Sequence, residues 1–408
     1  MIDYSEQAMP PLSTPRSRIG SAYLLLALFA GLLGGAMTLP FINAHPTTGL
    51  IVSHALLMGF FVVVPGVLGG MAYWLLPQSI GARKMALPSF SLLAWLLLAV
   101  GIIALPLRPA MALMLWSVGV TALSVDLIAT ILEERSKPYR VLSPMVWSFL
   151  FSAIGLMMIA PVMMALLVKG KVDLDSASSL MTFFQIPELS LLILPAFGMV
   201  AQALLPARET FAAKMAPYLF GVIGFLAPLL WVKSLFCSMP LHNGFYIMVL
   251  AQFVPALIFL VSLCLSLWST SFRQSAAPYW AVMAVVLLFI GSVSALLSPT
   301  HYAAFSAIGD VSRGHQSIIF GSLLALCAGF YAWMSQIVPF FSKGYLEIGI
   351  AHAFVTFVAM LCFMLPQAQL FSVVLTAVSI LGFVFMGFFA CASLKQRRAS
   401  LKRSFVKG

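Results

Sequence analysis

The sequence predicts an all-α fold, a polytopic membrane bundle of about twelve transmembrane helices. Three observations carry this. Of 408 residues 62% are hydrophobic and only 8% are charged, and mean hydropathy is +1.06, so too little polar surface exists to keep such a chain dissolved. Twelve apolar runs long enough to cross a bilayer can be drawn, roughly 19–43, 50–77, 87–106, 109–132, 144–169, 179–206, 214–236, 241–270, 277–297, 315–341, 346–365 and 368–392. Short connections separate them, the longest falling at 298–314, which leaves no room for an extramembrane domain. The expected organisation is a short N-terminal segment 1–18, a membrane domain 19–392 and a basic tail 393–408.

With twelve spans both termini share one side, and the cations sort sharply. Seventeen of the 22 Lys and Arg fall on that side, among them Arg16, Arg18, Arg83, Lys84, Arg135, Lys137, Arg140 and the tail cluster from Lys395 to Lys407. The opposite side holds Arg108, Lys169, Lys171, Lys233 and Arg313. By the positive-inside rule the termini are cytoplasmic, in a bacterial-type inner membrane, and the tail lies against anionic headgroups. The net charge of +11 is thereby assigned to topology, which excludes a nucleic-acid role. Residues 1–18 hold no apolar core, so the first span is its own insertion signal. The five cysteines, Cys237, Cys264, Cys327, Cys362 and Cys391, stand scattered in apolar stretches with no metal-type spacing.

Second and tenth spans both run from outside to inside, which puts His54 and His315 near the outer edge at matched depth. A membrane histidine is costly unless it pairs or ligates. Two from different helices at one level suit a haem with two axial imidazoles; the alternative is an interfacial histidine bonded to a backbone carbonyl. Glu188 stands near the middle of the sixth span beside Pro187, and Asp126 near the inner end of the fourth, neither with an evident cationic partner. Each serves a proton path or a local hydrogen-bonded role. Lys233 is placed to snorkel. Gly31 with Gly35, and Gly66 with Gly70, permit close helix contact. His45, His242 and His301 fall in outer loops or helix ends, and His352 in the eleventh span near the inner side.

The stretch from His54 through Pro77, Ile80-Gly81-Ala82-Arg83 and Pro88 resembles the second helix and following loop of haem–copper oxidase subunit I, the core subunit of cytochrome c and quinol oxidases. The segment FFQIPELSLLILPAFG, with Pro187, Glu188, Leu194, Pro195, Phe197 and Gly198, resembles that family's sixth helix. His315, Gly321, Gly329, Phe330 and Trp333 keep the spacing of its tenth. The resemblance implies that His54 and His315 ligate a low-spin haem, and that other respiratory-chain subunits or a redox protein at the outer face are partners beside the membrane lipid.

Residue by residue, the same resemblance implies a rebuilt reaction centre. Ile186 stands at the copper histidine of the sixth helix and Ser190 at the tyrosine that follows. Lys233 and Ser234, after Trp231, stand at the paired histidines of the seventh, Arg313 at the high-spin haem ligand, and Phe259 at the lysine of a proton channel. The arginine pair near the haem propionates is missing. A cation repels copper and an isoleucine cannot coordinate it. The expectation is one low-spin haem, no copper, no oxygen reduction, and an electron-transfer or accessory role in a respiratory chain. Two alternatives stay open: an active terminal oxidase or nitric oxide reductase subunit with other ligands such as His301 or His242, and a non-redox protein of haem handling, assembly, sensing or transport on the same fold.

Overall fold

The computed structural model describes residues 15–37, 48–171, 189–205, 210–226, 228–229, 231–232, 241–269, 275–297, 311–337, 343–365, 368, 370–385 and 387–388. Among them are twelve helical rods and no strand: α1 (Pro15–Ala36), α2 (48–80), α3 (Pro88–Ala104), α4 (Pro109–Glu133), α5 (Pro144–Val168), α6 (189–204), α7 (211–226), α8 (Leu241–Ser266), α9 (Ala277–Leu297), α10 (Val311–Ile337), α11 (Lys343–Phe363) and α12 (Leu370–Phe385). Seven are long and apolar enough to cross a membrane by themselves, and the others are shorter apolar helices. Chain reversals fall where punctuation residues sit. Pro88, Pro109 and Pro144 each open a helix, because the first turn has no use for the missing N–H. The expected third, fourth and fifth spans start within a residue of these prolines.

Helix α2 is the axis of the bundle. Its apolar window is 89% buried, against 28% for α11, since α1, α6 and α10 all pack on it. It passes through two π-type stretches, Leu57–Val63 and Pro65–Met71. Pro65 lacks an N–H for the α ladder, so a departure from α spacing is expected there. Small residues then let neighbours in. A Cβ on Gly69 would lie 2.2 Å from Cδ1 of Tyr23, and one on Gly66 would lie 2.8 Å from Leu326 and 3.3 Å from Ala27. A Cβ on Gly70 would lie 2.5 Å from Leu24 and one on Gly35 3.1 Å from Ile380, whereas one on Gly31 would meet Val62 at 3.8 Å, an ordinary contact, so Gly66, Gly70 and Gly35 serve close approach and Gly31 does not. The α9–α10 pairing uses the same device: a Cβ at Gly291 would fall 2.9 Å from the carbonyl of Gly314, and one at Gly321 2.9 Å from the backbone nitrogen of Leu288.

The helix ends after Ile80 in a left-handed residue, Gly81 at φ 74°, where Ala82 N–H returns to the Pro77 carbonyl at 2.8 Å. Only glycine adopts that angle without strain.

Candidate functional site

His54 lies on α2, half-buried, and its Nδ1 is 3.0 Å from the carbonyl oxygen of Gly34. Gly34 belongs to the last turn of α1, where carbonyls have no partner within the helix. A carbonyl only accepts, so Nδ1 carries the hydrogen and the ring's other nitrogen, Nε2, keeps its lone pair. Nε2 makes no hydrogen bond among the described residues. About a turn and a half further along α2, Gly59 is buried, yet among the described residues a Cβ built on it would meet no atom within 4 Å beyond its own stretch of helix.

Helices α2 and α10 run side by side in register. Leu326 of α10 packs against Gly66, and Trp333 lies against Trp74 with ring centroids 5.0 Å apart. Counting back from the first contact reaches His54 on one helix and His315 on the other, twelve and eleven residues away. The side chains of His315 and Arg313 lie outside the described residues, although both positions belong to α10. Ile186, Glu188, Lys233, Ser234, His45 and His301 also lie outside them, as do the side chains of Ser190 and His242. The π-type stretches fall on α2, on α6 just after position 188 (Leu189–Ile193) and on α7 (Val222–Leu226). Of these helices α2 carries His54, while positions 186, 233 and 234, which the resemblance makes ligand positions, lie outside the described residues; π turns recur at functional sites.

The buried Asp126 has no cation beside it among the described residues. Its Oδ2 accepts from Tyr73 Oη at 2.5 Å and Ser91 Oγ at 2.8 Å, and its Oδ1 from Leu87 N–H at 2.7 Å and Thr130 Oγ1 at 3.3 Å. Thr130 Oγ1 takes the Ala86 N–H at 2.9 Å, and Tyr23 Oη donates to the Ser91 carbonyl at 2.7 Å. One carboxyl thus ties α2, α3 and α4 to the 81–87 loop, and Tyr23 adds α1 through the Ser91 carbonyl. Tyr23, Tyr73, Ser91 and Thr130 escaped the sequence reading; the available signal was hydroxyl-bearing residues inside otherwise apolar runs.

His352 sits nearer the middle of α11 than the inner-side position expected. Its Nε2 lies 3.1 Å from the Ser379 carbonyl of α12, Thr356 Oγ1 is 2.8 Å from Ser379 Oγ, and Trp280 and Phe383 enclose the ring. Phe259 of α8 packs in a triad with Phe197 of α6 and Phe220 of α7, with centroids 4.9 and 4.6 Å away. All three rings are fully buried.

This geometry defines a class: a polytopic helical membrane protein with a histidine-bearing central helix in parallel register with a second. Comparison with known proteins narrows it. The family pattern described as Cytochrome C and Quinol oxidase polypeptide I matches residues 18–377, so the chain belongs to that family, the haem–copper oxidase subunit I family that the second and sixth spans resemble. It is similar to cytochrome c oxidase subunit 1 of Yarrowia lipolytica, at 24% identity over 80% of this chain and 74% of that one. It is also similar to cytochrome c oxidase subunit 1 of Thermostichus vulcanus, at 25% identity over 86% and 75%.

Proposed function

We propose that this chain binds one low-spin haem between His54 and His315 and passes single electrons near the outer face of a respiratory membrane, as an electron-transfer or accessory subunit without oxygen-reducing activity. The observation that carries the reading is the register of α2 and α10. Contacts of Gly66 with Leu326 and Trp74 with Trp333 support positions 54 and 315 at one level, as two axial ligands of a single iron require. Position 315 also shares a helical stripe with Leu326, since eleven residues make close to three turns.

The residues present fit a haem. Gly34 fixes the tautomer of His54 and leaves Nε2 as a ligand, the outer-shell arrangement that orients ligating imidazoles, and Gly59 opens space alongside. When bound, the haem supplies reversible one-electron chemistry. The protein's part would be to present His54 and His315 to the iron, so that neither axial position stays open to a substrate.

Copper does not fit. Ile186, Lys233 and Ser234 provide no imidazole where the family's pattern has three, and Arg313 replaces the high-spin haem ligand, so no step is derived through a binuclear centre. The Phe197–Phe220–Phe259 triad supports the same reading, because three packed aromatic rings fill the seam of α6, α7 and α8 where a proton channel would need hydroxyls or water. The cation count supports cytoplasmic termini, an orientation that would turn the haem toward an outer-face redox partner.

Reduced-minus-oxidised optical spectra of the purified protein test the reading. A sharp low-spin signature that carbon monoxide leaves unchanged, with less than stoichiometric copper and no oxygen uptake, is expected. Stoichiometric copper with oxygen consumption would overturn it in favour of an active oxidase, and a haem-free protein from haem-replete cells in favour of a non-redox role.

A further inference from the structure

Independently of any haem, one end of the bundle carries a rigid cationic plate, built from the 81–87 loop and residues 133–143. Ser136 and Lys137 N–H both donate to the Ile80 carbonyl at 3.0 and 3.2 Å. Lys137 Nζ caps the end of α2 on the Gln78 and Ser79 carbonyls at 3.1 and 2.9 Å, and Ser136 Oγ reaches the Gly81 carbonyl at 3.1 Å. Asp126 and Thr130 hold the loop from beneath through Leu87 and Ala86. The plate is therefore set before anything binds to it.

Its charge is lopsided. Among the described residues of these two segments, Arg83, Lys84, Arg135, Lys137 and Arg140 stand with two carboxyls, Glu133 and Glu134. Lys84 spends its charge on Glu134 at 3.4 Å, and Lys137 is used internally. Arg83 and Arg140 are exposed, with no hydrogen-bonded or ionic partner among the described residues. Arg135 stacks over the Tyr139 ring at 3.6 Å. From there a ladder of rings descends the side of α5, Tyr139 to Trp147 and Trp147 to Phe151, each at 6.0 Å. Tyr and Trp at this level mark a membrane–water boundary, which sets the cations at headgroup height with apolar rings below.

We propose that this plate binds an anionic phospholipid, its phosphate drawn by Arg83 and Arg140 and its acyl chain along the half-buried Trp147 below Tyr139. A soluble acidic partner would meet the cations but has no use for a ring ladder running into the apolar layer, so the lipid is the occupant the surface fits. An arginine at such a surface is worth about fivefold in lipid occupancy.

The test is native mass spectrometry of the full-length protein released from nanodiscs of equal phosphatidylglycerol and phosphatidylcholine. The wild type is expected to retain phosphatidylglycerol in excess of its bulk share. Arg83→Gln/Arg140→Gln loses that excess by about tenfold or more, Arg83→Lys/Arg140→Lys keeps most of it, and Arg108→Gln, at the opposite end of α3, leaves it unchanged. Millimolar inorganic phosphate does not displace the lipid. An unaltered excess in the Gln double variant, no excess in the wild type, or displacement by phosphate would each overturn the proposal.

Discussion

Asp126 offers a perturbation whose cost can be worked out atom by atom. Replacing it with Ala strands the Leu87 N–H, which cannot reorient, and removes acceptors from Tyr73, Ser91 and Thr130. An orphaned buried N–H costs about 1–3 kcal/mol, and each lost hydrogen bond about 1 kcal/mol more. Asp126→Ala should therefore destabilise by about 4–6 kcal/mol, in the range reserved for broken buried networks. Asp126→Asn keeps an oxygen toward Leu87 and Thr130, and its amide meets hydroxyls of Tyr73 and Ser91 that rotate to accept; the expected cost is about 1 kcal/mol. Reversible unfolding of the detergent-solubilised protein, followed by tryptophan fluorescence, measures both. A loss under about 0.5 kcal/mol for Ala, or an Asn variant as damaged as the Ala variant, would refute the claim that the carboxyl acts as a four-way acceptor joining helices.

Three further outcomes follow from other contacts of the bundle. Gly69→Ala should cost about 1–3 kcal/mol by overpacking, because its Cβ would meet a buried Tyr23 ring whose hydroxyl is already tied to Ser91; Gly34→Ala should cost less, since it meets the flexible end of Met58, and paired melting curves separate the two. Phe259→Lys should lower stability by about 3 kcal/mol without creating oxygen uptake, as judged by thermal unfolding and an oxygen electrode. Lys84→Gln should move the melting midpoint hardly at all, because its partner contact is solvent-screened with the lysine 71% exposed.

The number of helices was legible, and so were their limits where a proline opens one, as at Pro88, Pro109 and Pro144. The Gly66 and Gly70 approach was legible as a spacing of small residues. The π-type stretches of α2 were not, since Leu57–Val63 reads as an ordinary apolar helix and only packing against three neighbours reveals the wider turns. Asp126 was recognised as unusual, but its donors come from residues 53 and 35 positions away, a separation that no periodicity reports. His54 was picked out by the cost of a histidine in an apolar run; its bond to Gly34 crosses to another helix and the space beside Gly59 is a property of the assembled bundle. Phe259 stood out only against the family's pattern, and its two ring partners come from α6 and α7.

Haem retention in axial-ligand cavity variants tests the central claim most directly. His54→Gly and His315→Gly, purified from haem-replete cells, should each lose the six-coordinate low-spin spectrum, and added imidazole should restore it in both. Wild-type spectra in either variant, before any imidazole is supplied, would contradict an iron held between these two helices.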